Sequence, residues 1–135
     1  DVAAACPEWF GALPDGVHDL LDRYFTTAPD GIPGNDDTGT MSAWAVFSMM
    51  GLYPDCPGEP YYTLTSPVFD KVTVTLDPKY YPAGELVIET ERSGAGDVYI
   101  GSMTLGGRPL KKYRISHGEL VGGGRLVFGL QPERK

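Results

Sequence analysis

From Lys71 to Leu76 the chain alternates, with Val72, Val74 and Leu76 apolar and Lys71, Thr73 and Thr75 polar. A period of two marks a strand with one buried face. Glu85–Glu91 carries Leu86 and Ile88 in the same phase, and residues 97–103, 113–116 and 125–130 predict further strands. Gly106-Gly107, between Leu105 and Arg108, predicts a two-residue hairpin turn, where positive φ is cheap. About six short strands, with turn signals at roughly the 8–12-residue spacing of such folds, predict an antiparallel β-sandwich. No internal repeat is visible.

The chain before this is different in texture. Val17, Leu20, Leu21, Tyr24 and Phe25 stand at helical spacing and predict a helix over 17–27. It would be entered from a turn at Pro14-Asp15-Gly16, capped by Asp15 and stopped by Pro29, with Asp19 near the positive end of its dipole. A breaker-rich loop over 29–39 follows. A second helix is predicted over Thr40–Met50, ending at Gly51 as a left-handed C-cap. Met41, Ala43, Trp44, Ala45, Val46, Phe47, Met49 and Met50 surround it almost completely. A helix that is apolar all round is buried all round, and one small β layer cannot do that alone, so partner helices are expected. Tyr53 to Pro60 reads as a linker or a tight irregular crossing. The fold expected is α+β: two or three N-terminal helices with the acidic loop in residues 1–57, then an antiparallel β-sandwich in 58–135.

With 135 residues, 41% of them apolar, the chain has material for one core, or one domain plus part of another. No run approaches the ~18 apolar residues of a membrane span, so no membrane partner is expected. Asp1 is preceded by neither a basic segment nor a signal-like run, and the start reads as a cut. The net charge of −7 is unevenly placed: up to residue 57 nine acids face the single base Arg23, and beyond it nine acids face ten bases. Nucleic acid wants a basic stripe, so it is not an expected partner. Cys6 and Cys56 permit one disulfide or two free thiols, and neither has a zinc-spaced neighbour.

Candidate chemistry gathers in the loop. Asp30, Asn35, Asp36 and Asp37 lie within eight residues, and Asn35 is the only asparagine in the chain. Oxygen-rich side chains on a stiff loop suit a hard cation such as calcium, or a carboxylate that holds a water. The same residues are turn formers for local reasons, and Asp37 lies close enough to the second helix to help its N-terminus. Elsewhere, Trp44 can line a sugar site or pack in a core. Tyr61, Tyr62, Tyr80 and Tyr81 can form an aromatic platform or simple packing, and His117 reads as a turn or cap residue.

The run Gly31-Ile32-Pro33-Gly34-Asn35-Asp36-Asp37-Thr38-Gly39-Thr40-Met41-Ser42-Ala43-Trp44-Ala45-Val46-Phe47-Ser48, then Gly51-Leu52-Tyr53-Pro54 and Cys56-Pro57-Gly58, resembles the C-terminal signature of glycoside hydrolase family 92. The likeness continues through Ser66 to Lys71, the Leu105-Gly106-Gly107 hairpin, Ser116-His117 and Gly123 to Leu126. It implies a C-terminal fragment of a calcium-dependent, inverting exo-α-mannosidase of α-1,2 type: the last helices of an (α/α)6 barrel and the closing β layer. By this resemblance Asp37 is the general base and a calcium ligand, and Asn35 is a second, supporting polar group at the catalytic centre. Asp36 and Trp44 are candidate substrate-binding residues. The general acid and most calcium ligands would lie upstream, leaving the fragment itself inactive. Mannose-containing glycans and the missing upstream domains are the expected partners, with self-association of the fragment, and the setting would be the outside, periplasm or surface of a bacterium. Two departures stand beside the loop: Thr40 replaces the family's usual Gln, and Ala45 its usual Tyr. The alternative function is a carbohydrate-binding or purely structural β-sandwich module.

Overall fold

The computed structural model describes residues 7–56 and 58–133, with side chains from residue 16 onward. Helix α1 spans Pro7–Tyr24 and helix α2 spans Thr40–Met50; a third, α3, is the single turn His117–Leu120. The described residues also form eight strands: β1 Leu52–Tyr53, β2 Tyr61–Leu64, β3 Lys71–Thr75, β4 Glu85–Glu91, β5 Tyr99–Leu105, β6 Arg108–Pro109, β7 Arg114–Ser116 and β8 Arg125–Gln131.

Helix α1 departs from its expected bounds at both ends. It starts at Pro7 and runs straight through Pro14-Asp15-Gly16, so no turn forms there and no cap is needed at Asp15, whose side chain lies outside the described residues. A Pro inside a helix forfeits one hydrogen bond and Gly costs about 1 kcal/mol against Ala. Tertiary contacts hold the helix through both: Leu21 is buried, and His18 Nε2 lies 3.1 Å from the carbonyl oxygen of Ser66. The helix stops at Tyr24, short of Thr27, because the Thr26 N–H is taken by the Gly31 carbonyl at 2.9 Å. A Cβ on Gly31 would lie 2.1 Å from the Thr26 oxygen, so only glycine allows this fold-back.

Helix α2 has the expected bounds. Gly51 caps it with φ 82° and gives its N–H to the Phe47 and Ser48 carbonyls. A Cβ there would also meet Pro67 Cγ at 2.5 Å, so conformation and packing both require glycine.

The strands form two sheets, β1-β2-β7 and β3-β4-β8-β5-β6. In β4 and β8 the apolar phase faces inward: Leu86 and Ile88, and Leu126, Phe128 and Leu130, are buried between more exposed neighbours. Leu52, Leu64 and Ile115 from the small sheet meet Leu86, Ile88, Met103, Leu105, Leu126 and Phe128 from the large one, with Leu120 of α3, in one core. Phe47 and Met50 of α2 pack on the same core. The fold is therefore α+β, few helices on a two-sheet β layer.

Two features go beyond the alternation pattern. The small sheet includes β1 and β2, which flank the stretch that reads as an irregular crossing and are brought together across it: β1 pairs Leu52 with Leu64 and Tyr53 with Thr63. β4 and β8 pair in parallel, Val87 opposite Arg125 through Glu91 opposite Gly129. The other pairs among the described residues are antiparallel. A parallel pair needs a crossover, here the excursion through β5, β6, β7 and α3.

Candidate functional site

The acidic loop enters α2 through backbone conformations that side chains usually avoid. Gly34 and Gly39 have positive φ, and so do Asp37 (50°) and Thr38 (62°). Two consecutive non-glycine residues in the left-handed region are uncommon, and a β-branched Thr there is an outlier. The loop holds them with its own polar groups. Asn35 Oδ1 accepts the Asp37 N–H at 3.1 Å, and Thr40 donates its hydroxyl to the Asp37 carbonyl at 2.8 Å.

The first-turn amides of α2 all find partners in the same loop. Thr40 N–H reaches the Asp37 carbonyl and Met41 N–H the Asp36 carbonyl, while Ser42 N–H is accepted by Asp36 Oδ1 at 2.8 Å. The carboxylate that helps the helix N-terminus is thus Asp36 and not Asp37. Its side chain is half-buried against the helix start, so the candidate substrate-binding Asp36 has one oxygen already engaged by the protein. Asp37 is exposed, and its carboxylate takes no hydrogen bond or ion pair among the described residues.

Beside this loop lies an open apolar groove of about 490 Å³, lined by Leu20, Tyr24, Phe25, Pro33, Met41 and Trp44. Pro33 comes from the loop and Met41 from the first turn of α2, so groove and acidic turn adjoin. Trp44 stacks on Phe25 with ring centroids 5.4 Å apart. The loop that carries the exposed Asp37 thus also contributes Pro33 to the wall of an aromatic-lined recess, although Asp37 itself is not among the residues that line it.

No three His, Cys, Asp or Glu side chains approach each other closely enough to hold a metal among the described residues. Asp37 offers calcium one hard oxygen donor where six to eight are needed, so these residues alone do not make a calcium site. Asp30, on the same loop, is exposed. Cys56 is a free, exposed thiol, and Cys6 lies outside the described residues.

The tyrosines do not assemble into one platform. Tyr61 lies under the Arg114 guanidinium, 4.4 Å from its ring centroid, and Arg114 also pairs with Glu59. Tyr80 is exposed with Lys79 over it. Tyr62 and Tyr81 instead face His117, with hydroxyls 3.0 Å from Nδ1 and 3.4 Å from Nε2. His117 opens α3 behind a capping box in which Ser116 and Glu119 exchange hydrogen bonds, so the cap is Ser116 and not His117, whose ring lies instead between the two tyrosine hydroxyls.

Sequence reasoning did not single out Ser42, Phe25 or Pro33. Ser42 is six residues beyond its carboxylate partner, and the usual N-cap spacing is two or three, so no local rule finds this bond. Phe25 and Pro33 join the site only because the chain folds back at Gly31.

Comparison with known proteins bears on the same segment. The glycosyl hydrolase family 92 catalytic domain matches residues 14–132. An uncharacterized secreted glycosidase of Arthroderma benhamiae is 33% identical over 117 residues, 87% of this chain and 15% of the relative. The solved structure of a family 92 inverting mannosidase from Bacteroides thetaiotaomicron is 33% identical, with a TM-score of 0.79 over 91% of this chain and 16% of that one. A family 92 α-mannosidase of the same organism, solved in complex with mannoimidazole, shares the fold at 24% identity, with a TM-score of 0.80 over 90% of this chain and 16% of that one. The chain thus spans 15–16% of the length of these relatives.

Proposed function

The chain belongs to glycosyl hydrolase family 92, and from that premise we propose that it is the C-terminal part of an inverting exo-α-mannosidase, of α-1,2 type, with Asp37 as its general base. Residues 1–57 belong on this reading with the helical catalytic part, and 58–135 form the closing β layer, with β1 as the seam between them. The relative solved as an inverting mannosidase supports the reaction class. The secreted relative supports an exported setting, which we place at the outside, periplasm or surface of a bacterium.

The observation that carries the reading is the state of Asp37: an exposed carboxylate, without a partner among the described residues, on a left-handed turn beside an aromatic recess. In an inverting hydrolysis one carboxylate takes a proton from water as it attacks the anomeric carbon. A second carboxyl group, on the opposite side, protonates the leaving oxygen. Asp37 supplies the first function. Asn35 holds the Asp37 amide and is the supporting polar group, and Trp44 offers a face to the sugar ring. The acid comes from outside this chain, and the isolated chain is inactive. Calcium, when bound, would polarise and orient mannose hydroxyls; Asp37 could give it one oxygen, with the other donors outside this chain.

The test is Asp37→Asn in the intact mannosidase, assayed on an aryl α-mannoside and on α-1,2-mannobiose. Removing a general base lowers turnover by about 10²–10⁴-fold. Asn tolerates the left-handed conformation nearly as well as Asp, and no hydrogen bond of the carboxylate is lost, so the melting temperature should hold. Near-normal hydrolysis by this variant would overturn the assignment.

A further inference from the structure

Asp37 is secured from several sides, but the holds differ in strength. Those made by Asn35 and Thr40 are exposed to competing water. The bond from Ser42 N–H to Asp36 Oδ1 is partly buried and, at 2.8 Å, short. It joins a charged acceptor to a helix N-terminal amide, a combination stronger than a neutral pair. The Asp36 carbonyl receives the Met41 N–H at 3.1 Å as well, so the residue before Asp37 is clamped to α2 through both its main chain and its side chain.

We propose that Asp36 is a positioning residue: by gripping the Ser42 N–H it fixes the left-handed turn that presents Asp37, and it acts on the reaction through Asp37 rather than by touching the sugar. The inference rests on Asp37 being the base. Consecutive non-glycine residues at positive φ persist only where their surroundings over-determine them. Released at Asp36, the turn relaxes and the Asp37 carboxylate moves, and a shift of ~1 Å in a reacting group can cost about 100-fold in rate.

Two variants remove the same bond from opposite ends. Asp36→Ala deletes the acceptor. Ser42→Pro deletes the donor, together with the Ser42 hydroxyl, and proline is tolerated in the first turn of a helix. In the intact mannosidase each should lower kcat by about 10- to 100-fold with KM within about twofold. The double variant should be no worse than the poorer single, since both delete one interaction. Asp36→Asn, whose amide oxygen accepts the same N–H, should recover most of the loss seen with Asp36→Ala. Full turnover in Ser42→Pro, additive losses, or an effect of Asp36→Ala confined to KM would each overturn the proposal. Asp37→Asn run alongside separates the two readings: if it is inactive while Asp36→Ala and Ser42→Pro are normal, the base stands and the positioning role falls. If Asp37→Asn is itself active, the base assignment fails first.

Discussion

Thr38, at φ 62°, stores conformational energy that its side chain does nothing visible to repay. A left-handed conformation costs an L-residue roughly 1–2 kcal/mol, and replacement by glycine gives back about 0.5–1 kcal/mol of that in lost chain entropy. Thr38→Gly should therefore stabilise the fold by roughly 0.5–1 kcal/mol, read as a higher denaturation midpoint at unchanged slope. A fall in the midpoint would mean that the Thr38 side chain makes a contact worth more than the strain. Strain of this kind clusters at working sites, which is why the turn that carries Asp37 is the part of the loop to test. Asp36 and Asp37 are adjacent and chemically identical, yet one is turned to a helix amide and the other to solvent. That difference is set by which residue meets the Ser42 N–H.

Among the elements, β3, β4 and β8 are tied by charge on their exposed face. Glu89 of β4 meets Lys71 Nζ of β3 at 3.3 Å and Arg125 Nη1 of β8 at 2.8 Å. Partial desolvation raises its pKa, but the hydrogen bonds from Lys71 and Arg125 and their positive charges outweigh this and hold it below the usual carboxylate value. A carboxylate with a depressed folded-state pKa adds stability above its unfolded pKa of about 4.3, and this is lost as pH falls through the folded value. Glu89→Gln should consequently melt lower than the parent at pH 7, with the gap closing as the pH drops below 4.3 and shrinking in high salt. A gap that persisted in acid would show that packing, not charge, joins these strands. Glu119 behaves likewise: the Ser116 hydroxyl and N–H, aided by Arg108, hold its pKa down, so the α3 capping box also weakens in acid.

At the scale of the whole molecule, the apolar circumference of α2 is only partly covered. Ala45 and Ser48 are buried, while Val46 is 53% exposed, and Leu20 and Tyr24 of α1, at 44% and 52%, open onto the groove beside Trp44. Exposed apolar surface of this kind drives association in water. The 135-residue chain on its own should self-associate with concentration in sedimentation velocity, and Leu20→Lys with Val46→Lys should return it to a monomer. A chain that stays monomeric at all concentrations would show that the groove is too small or too wet to matter. No helix among the described residues is long and apolar enough to cross a membrane.

Much of this molecule is legible in the chain itself. The bounds of α2, its Gly51 cap, the phase of β3, β4 and β8 and the Gly106-Gly107 hairpin follow from period and backbone freedom, which are local properties of a few adjacent residues. So does the gathering of Asn35, Asp36 and Asp37 on one breaker-rich loop. The passage of α1 through Pro14 to Gly16, its stop at Tyr24, the β1-β2-β7 sheet and the parallel β4-β8 pair were decided only in three dimensions. Three of them depend on partners distant in sequence, Ser66 for His18 of α1, Leu64 for Leu52 and Arg125 for Val87, and the stop at Tyr24 depends on the fold-back that brings the Gly31 carbonyl to the Thr26 N–H. The same holds for the two aspartates, since hydrophobic period fixes which way a strand residue faces, but on a loop only the position of the neighbouring helix amide decides which carboxylate is held and which is left free.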